Sequence, residues 1–352
     1  MIKIESWFPK DMREEYLYKM ISKLNMKKDD QIGFIPDKTI DLKTLLVGTR
    51  EEVFKVDGIQ EYFDSCQFTI NHSRCTDGLE HNKLNVNEKI DYNKIDSGLR
   101  HKLLSSLHIK CCPYCNRQYI TVWNDEKNKP HSTADLDHFY QKDTYPLFAL
   151  SLFNLVPSCQ ICNSRMKGSK KIATLYPYEE GMDVFRFHCE PKQERPDSLV
   201  DLWLANNTRY PDDIFSQYEI KLLDESSNDR NKTAEELSHI ERIRGSIEMF
   251  HLEEVYQTHL EAAINEILKI RIYFSGDYAK YAQNTFEEIG MTDKDGSLKD
   301  IISKNAFSED EMRNIILGFV YDGQDNLDQP LGKMLNDLLE NELKVKRLFN
   351  DC

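Results

Sequence analysis

The sequence predicts an α+β protein, mainly helical, in which a cysteine-rich middle stretch is flanked by helical N- and C-terminal regions. Three observations predict it. Apolar residues recur at helical spacing near both ends, short alternating runs lie between residues 183 and 224, and five of the nine cysteines fall between Cys111 and Cys162. With 352 residues, 40% of them apolar, the chain has enough material for two or three domains with ordinary cores. No basic segment followed by an apolar one opens the sequence, and no apolar run is long enough to span a bilayer. Neither export nor a membrane partner is therefore expected, and the chain is placed in the cytoplasm. In that reducing compartment clustered cysteines are thiols or metal ligands rather than disulfides.

Residues 1–95 read as a mixed, mainly helical region. Met12, Tyr16, Met20 and Leu24 share one face at a spacing of four, which predicts an amphipathic helix. Asn71 to Lys94 is polar and weakly periodic and reads as a loop, leading into a short helix at "SGLRHKLLSSL". Residues 96–178 carry the chemistry. In the third region, 179–352, "DVFRFHC" and "QYEIKLLD" alternate as strands do, separated by "NNTRYPDD". Thr233 with Glu236, and Ser308 with Glu311, have capping-box spacing and predict two helix starts. Leu252, Val255, Tyr256, Leu260, Ile264, Ile267 and Leu268 form an apolar stripe suited to a core-facing helix, and a last helix is expected after Pro330.

The formal net charge is −14, which by itself disfavours nucleic acid, because affinity for a polyanion comes largely from cations that release its counterions. The distribution reverses that. From Leu99 to Leu175 there are eleven Lys/Arg against five Asp/Glu, a local balance of +6 that leaves −20 for the rest of the chain. A basic excess around a cysteine cluster fits a nucleic-acid site, as well as an ordinary solvated patch.

Two C-x-x-C pairs, Cys112 with Cys115 and Cys159 with Cys162, can supply four thiolates to one tetrahedral Zn²⁺. One pair alone would suit a redox dithiol equally well. Cys111 could replace Cys112, but Cys112-Pro-Tyr-Cys115 mirrors Cys159-Gln-Ile-Cys162, and we read Cys112 as the ligand. Four thiolates leave no open position, so this zinc is structural. The 43 residues separating Cys115 from Cys159 must fold between the pairs.

That interval contains Asp137-His138 after a strand-like run and Asn154 sixteen residues on, while Asn163 follows the last cysteine and Lys167-Gly168 comes after it. Singly, each has an ordinary structural explanation. In this order, C-x-x-C, D-H, N, C-x-x-C-N, K-G, the segment resembles the HNH family of ββα-metal endonucleases, in the subgroup clamped by two C-x-x-C knuckles. The resemblance covers about 70 of the 352 residues. It implies that the D-H pair ends the first strand of a hairpin, that Asn154 orients the intervening loop, and that Asn163 lies on the following helix. "LDHFYQKDTYPLFALSLFNLVPSCQICN" is also similar to bacterial HNH proteins of anti-phage defence, of the Septu and retron-associated type, some encoded beside ATPases. An ATPase or other defence-system subunit is the partner this implies. Gln141 stands where that group usually has proline.

Phosphodiester hydrolysis needs a water stripped of its proton and positive charge at the phosphate and the leaving 3′-oxygen. Imidazole has the pKa for the first task, so His138 is the expected general base. Asp137 and Asn163 offer hard oxygens to a catalytic Mg²⁺ or Mn²⁺. Neighbours on a strand point to opposite faces, so Asp137 and His138 can share a site only where the strand ends. Lys167, Arg165, Lys170 and Lys171 are candidate phosphate contacts. The expected function is a metal-dependent DNA endonuclease with little sequence preference, and the alternative is a zinc-clamped module that binds nucleic acid or a protein without cutting.

Overall fold

The computed structural model describes residues 1–71, 90–168, 170, 172–193, 214–226, 232–274 and 330–343. The chain divides into two compact units, Met1–Gly181 and Met182–Cys352. Residues 1–95 and 96–178 therefore belong to one unit. Both units mix helices with two-stranded antiparallel sheets.

The first unit opens with helix α1 (Lys10–Leu24), which buries Met12, Tyr16 and Met20 as the spacing predicts, while Leu24 is half-buried. Asn25 ends it in the left-handed conformation, where its N–H reaches back to the last turn. Strands β1 (Gln31–Ile35) and β2 (Lys38–Asp41) form a hairpin that bends at Asp37. Asp41 then caps α2 (Leu42–Val47), and Thr49 with Glu52 makes a capping box on α3 (Arg50–Phe54). Helix α4 (Ile59–Asn71) follows; of the polar stretch read as a loop, residues 72–89 lie outside the described residues, and Tyr92–Lys94 forms a single 3₁₀ turn. Helix α5 (Ser97–Ser106) is capped by Asp96. A small hairpin, β3 (Val122–Asn124) and β4 (Pro130–Ser132), then leads into β5 (Ala134–His138), which pairs antiparallel with β6 (Leu155–Cys159). Beyond β6 the chain winds into a seven-residue π-helix, Ile161–Lys167, closed by Gly168 at φ 48°.

The connection between β5 and β6 is not a free loop. Tyr140, Tyr145, Phe148 and Phe153 pack on Phe54, Tyr62 and Phe63 of α3 and α4, edge to face in the pairs Phe54–Phe153, Tyr62–Phe148 and Phe63–Tyr140 and stacked in Phe63–Tyr145, geometries that aromatic quadrupoles favour. The Tyr16 hydroxyl of α1 donates to the Leu150 carbonyl at 2.7 Å, and the Leu147 N–H donates to the Tyr62 hydroxyl at 3.2 Å. The N-terminal helices thus anchor the backbone on both sides of Ala149.

In the second unit β7 (Phe185–Pro191) pairs with β8 (Tyr218–Asp224), at the two alternating runs of the sequence. The stretch "NNTRYPDD" between them lies outside the described residues. Thr233 and Glu236 close the expected capping box on α6 (Ala234–Met249). The apolar stripe is split between α7 (Leu252–Gln257) and α8 (Leu260–Phe274), with Leu252, Tyr256, Leu260, Ile264 and Ile267 buried and Val255 half-buried. Helix α9 (Gly332–Leu343) is the expected last helix, and its Asp337 carboxylate accepts from the Phe187 N–H and pairs with Lys333 and Arg186. The capping pair Ser308 and Glu311 lies outside the described residues. No helix among the described residues is long and apolar enough to cross a membrane.

Candidate functional site

Four buried cysteines, Cys112, Cys115, Cys159 and Cys162, bring their sulfurs within 4.8 Å of one another. At a Zn–S bond of about 2.3 Å, the sulfurs of a tetrahedral site stand about 3.8 Å apart, so the cluster could hold a zinc ion with little adjustment. Its backbone is shaped for that. The Asn116 N–H closes the first knuckle onto the Cys112 carbonyl at 2.8 Å, with Asn116 at φ 48°, and the Cys162 N–H donates to the Cys159 sulfur at 3.4 Å. Burial pushes the Cys112 thiol up, while hydrogen bonds from its neighbours pull the Cys115 thiol down. Four sulfurs this close cannot all become thiolates without a cation among them. Cys111 is buried outside the cluster, in an isolated bridge to Tyr119.

Strand β5 and the π-helix build the second site, around a cavity of about 420 Å³ lined by Asp135, Asp137, His138, Asn163, Arg100 and Lys142 among others. His138 is the last residue of β5, opposite Leu155, and that position lets it share the cavity with Asp137. Its Nε2 lies 2.9 Å from the Ala149 carbonyl. A carbonyl only accepts, so Nε2 carries the hydrogen, and a neutral ring then presents the Nδ1 lone pair. Burial, the largest influence, holds the His138 pKa below the ordinary value. The Tyr92 ring meets it edge-on at 4.6 Å.

Asn154 is fully buried and clamps the chain just beyond His138. Its Oδ1 accepts from the Tyr140 N–H at 2.6 Å, and its Nδ2 donates to the carbonyls of Tyr140 and Phe148 at 2.9 and 3.0 Å. Its own carbonyl accepts from the Phe139 N–H. One side chain therefore ties both ends of the β5–β6 connection and supports the Ala149 carbonyl that holds His138.

Asp135, which the sequence reading passed over, precedes Asp137 by two residues and lines the same cavity. Residues two apart on a strand share a face, so the D-x-D spacing was the available signal. The Asn163 Nδ2 donates to Asp135 Oδ2 at 3.0 Å, leaving its carbonyl oxygen as the end able to bind a cation. Two carboxylates and a carboxamide on one polar cavity fit a hard divalent ion such as Mg²⁺ or Mn²⁺ in ligand chemistry.

Lys167 departs from expectation. Rather than reaching outward to phosphate, it is buried, with its ammonium 2.5 Å from Asp137 Oδ2 and 2.6 Å from the His138 carbonyl. The Tyr114 hydroxyl donates to the same carboxylate oxygen at 2.6 Å. Lys167 is the last residue of the π-helix, and its side chain lies over the end of β5. Burial lowers the Lys167 pKa, and the Asp137 charge opposes that shift. Arg165 and Lys170 are exposed and do not line the cavity, and Lys171 lies outside the described residues. The cations that do line it include Arg100, brought by α5, and Lys142, both positioned against the Tyr92 ring. Neither has a local motif that announces it. Gln141 donates to the carbonyls of Gly168 and Lys170, tethering the chain beyond the π-helix as a proline there could not.

No protein-family profile, curated protein or solved structure matches the chain.

Proposed function

We propose that the chain is a metal-dependent HNH endonuclease that hydrolyses phosphodiester bonds in DNA. The observation that carries this is the convergence of His138, Asp137, Asp135 and Asn163 on one polar cavity, with the tautomer of His138 set by the Ala149 carbonyl. His138 Nδ1 takes the proton from an attacking water. Asp137 and Asn163, with Asp135 beside them, would hold a Mg²⁺ or Mn²⁺ ion, which supplies charge at the phosphate and the leaving 3′-oxygen. Tyr114 and Lys167 fix the orientation of Asp137, and Asn154 fixes the loop behind His138. Arg100 and Lys142 are the cavity cations placed to meet a phosphate.

In this reading zinc occupies the four-cysteine cluster and has no part in the chemistry. The protein acts in the cytoplasm as an effector of bacterial anti-phage defence, in company with an ATPase or another subunit of that system. The test is plasmid cleavage with Mg²⁺ or Mn²⁺ by the parent chain and by His138→Ala. Loss of a general base lowers the rate about 10²–10⁴-fold, and undiminished cutting by the variant sinks the assignment.

One observation favours a second reading, a zinc-clamped module that binds without cutting. The Lys167 ammonium already supplies a cation to Asp137. If that ion pair is permanent, neither Mg²⁺ nor Mn²⁺ binds, and cleavage stays absent with and without the partner subunit.

A further inference from the structure

The β3–β4 hairpin is not used in the mechanism above, and its exposed face is unusual for a chain this acidic. Between the first cysteine pair and β5, side chains alternate. Ile120 turns in, while Tyr119, Thr121 and Trp123 face outward. Tyr119 is 58% exposed and Trp123 44% exposed, two of the four large hydrophobic residues that stand out on the described surface. Trp123 stacks on His131, its cross-strand partner, with ring centroids 5.4 Å apart and planes 18° from parallel. A cross-strand aromatic pair stabilises a hairpin by itself, but that role accounts for neither the exposed outer ring face nor Tyr119.

The charges around these rings are biased. The Asp125 carboxylate is directed inward on the turn, accepting from the N–H groups of Lys127 and Lys129 at 2.9 and 2.8 Å and meeting His131 Nε2 at 3.2 Å. These bonds close the turn, with Asn128 at φ 57°. The side chains of Lys127 and Lys129 are left exposed at its tip, where exposed Glu126 offsets one of the two charges, and exposed Lys110 is tied in at the other end through the Ile120 N–H to Lys110 carbonyl bond. Tyr119, in the bridge to Cys111, and Trp123, on β3, are exposed rings four residues apart with lysines at both ends, and they offer a few splayed nucleotides two faces to stack on and cations for their phosphates. A duplex offers its phosphates to such a face but keeps its bases stacked inside.

We propose that this hairpin is a stacking platform for unpaired bases, so that the chain engages single-stranded segments of nucleic acid through Tyr119 and Trp123. Helix α5 packs against β3, β4 and β5 and contributes Arg100 to the cavity, so one element supports both the platform and the site. The inference deepens the nuclease reading by naming its substrate as nucleic acid with unpaired bases, yet it is tested separately.

The full chain carrying His138→Ala is titrated, without added divalent ion, into a labelled oligo(dT) and into a duplex of equal length, with anisotropy as the readout. Single strand is expected to bind more tightly than duplex. Trp123→Ala lowers single-strand affinity roughly 10-fold, Trp123→Phe restores most of it, and zinc content and circular dichroism stay unchanged. Lys127→Gln with Lys129→Gln flattens the salt dependence by about two phosphate contacts. Equal binding by Trp123→Ala, or equal affinity for duplex and single strand, overturns the platform, including the case in which the hairpin docks a protein. Plasmid cleavage by the parent chain together with Trp123-independent binding removes the platform alone. Trp123-dependent binding, with cleavage absent both with and without the partner subunit, keeps the platform and removes the nuclease.

Discussion

At the scale of single residues, the site depends on what each buried polar group is bonded to. Asp137 is almost fully buried, and Lys167 is its counter-charge. Removing one partner of a buried pair leaves an uncompensated charge, a loss of about 3–5 kcal/mol. Lys167→Met should therefore lower the denaturant midpoint of the metal-free chain markedly. A divalent ion held at the cavity then takes over part of the role of Lys167, so added Mn²⁺ should raise the midpoint more in the variant than in the parent. Equal Mn²⁺ effects in the two proteins would separate Asp137 from the proposed ion site. The same residue explains a limit of spacing arguments. Lys167 lies four positions after Asn163, which places it on the same side of the helix, but its burial against Asp137 is a contact across 30 residues of chain that the spacing does not reveal.

At the scale of elements, caps and the cysteine cluster hold the pieces that carry the site. Asp96 caps α5 by accepting from the Leu99 N–H at 2.8 Å and also pairs with Lys23 of α1. Those contacts, Lys23 first, hold its pKa below the usual carboxylate range. A folded-state pKa lowered in this way contributes stability above the unfolded value of about 3.9, and that contribution fades as pH falls through the folded pKa. Asp96→Ala should cost about 1 kcal/mol near neutral pH and converge on the parent in strong acid, as measured by urea unfolding at several pH values. Unchanged parent-minus-variant stability across that range would refute the link. The cysteine cluster joins the segment before β3 to the end of β6, through Cys159, and to the start of the π-helix, through Cys162. Stripping zinc with a strong chelator should release Asn163 from Asp135 and abolish cleavage even with excess Mg²⁺, and zinc returned alone should restore it. Elemental analysis should find one zinc per chain, and a zinc-free chain that still cuts would refute this coupling.

At the scale of the whole molecule, charge follows the division into units. Residues 1–181 carry 26 Lys/Arg against 25 Asp/Glu, whereas residues 182–352 carry 20 against 35. Both candidate sites lie in the near-neutral unit, and the −15 of the other repels a polyanion at low ionic strength. Residues 1–181 expressed alone should bind oligonucleotides more tightly than the full chain in 50 mM salt. The difference should shrink toward 0.3 M as the screening length drops to several ångströms. A difference that persists at high salt would mean that the second unit blocks the site by contact instead of by charge.

Much was readable in the sequence because it is local. The α1 face, the Thr233 capping box, the alternation of β7 and β8 and the pairing of two C-x-x-C knuckles each depend on residues close together, where the periodicity of helix or strand fixes the outcome. Asp137, His138, Asn154 and Asn163 stand out through an order and spacing that resemble the HNH pattern. Tertiary structure decided which groups face one another. It placed Asp135 beside Asn163, turned Lys167 onto Asp137, brought Arg100 from α5 to the cavity, and used Tyr16 and Tyr62 to hold the backbone on either side of Ala149. Those contacts span 28 to 134 residues of chain. At such separations no local period applies, and packing and the pairing of buried charge determine which side chains meet.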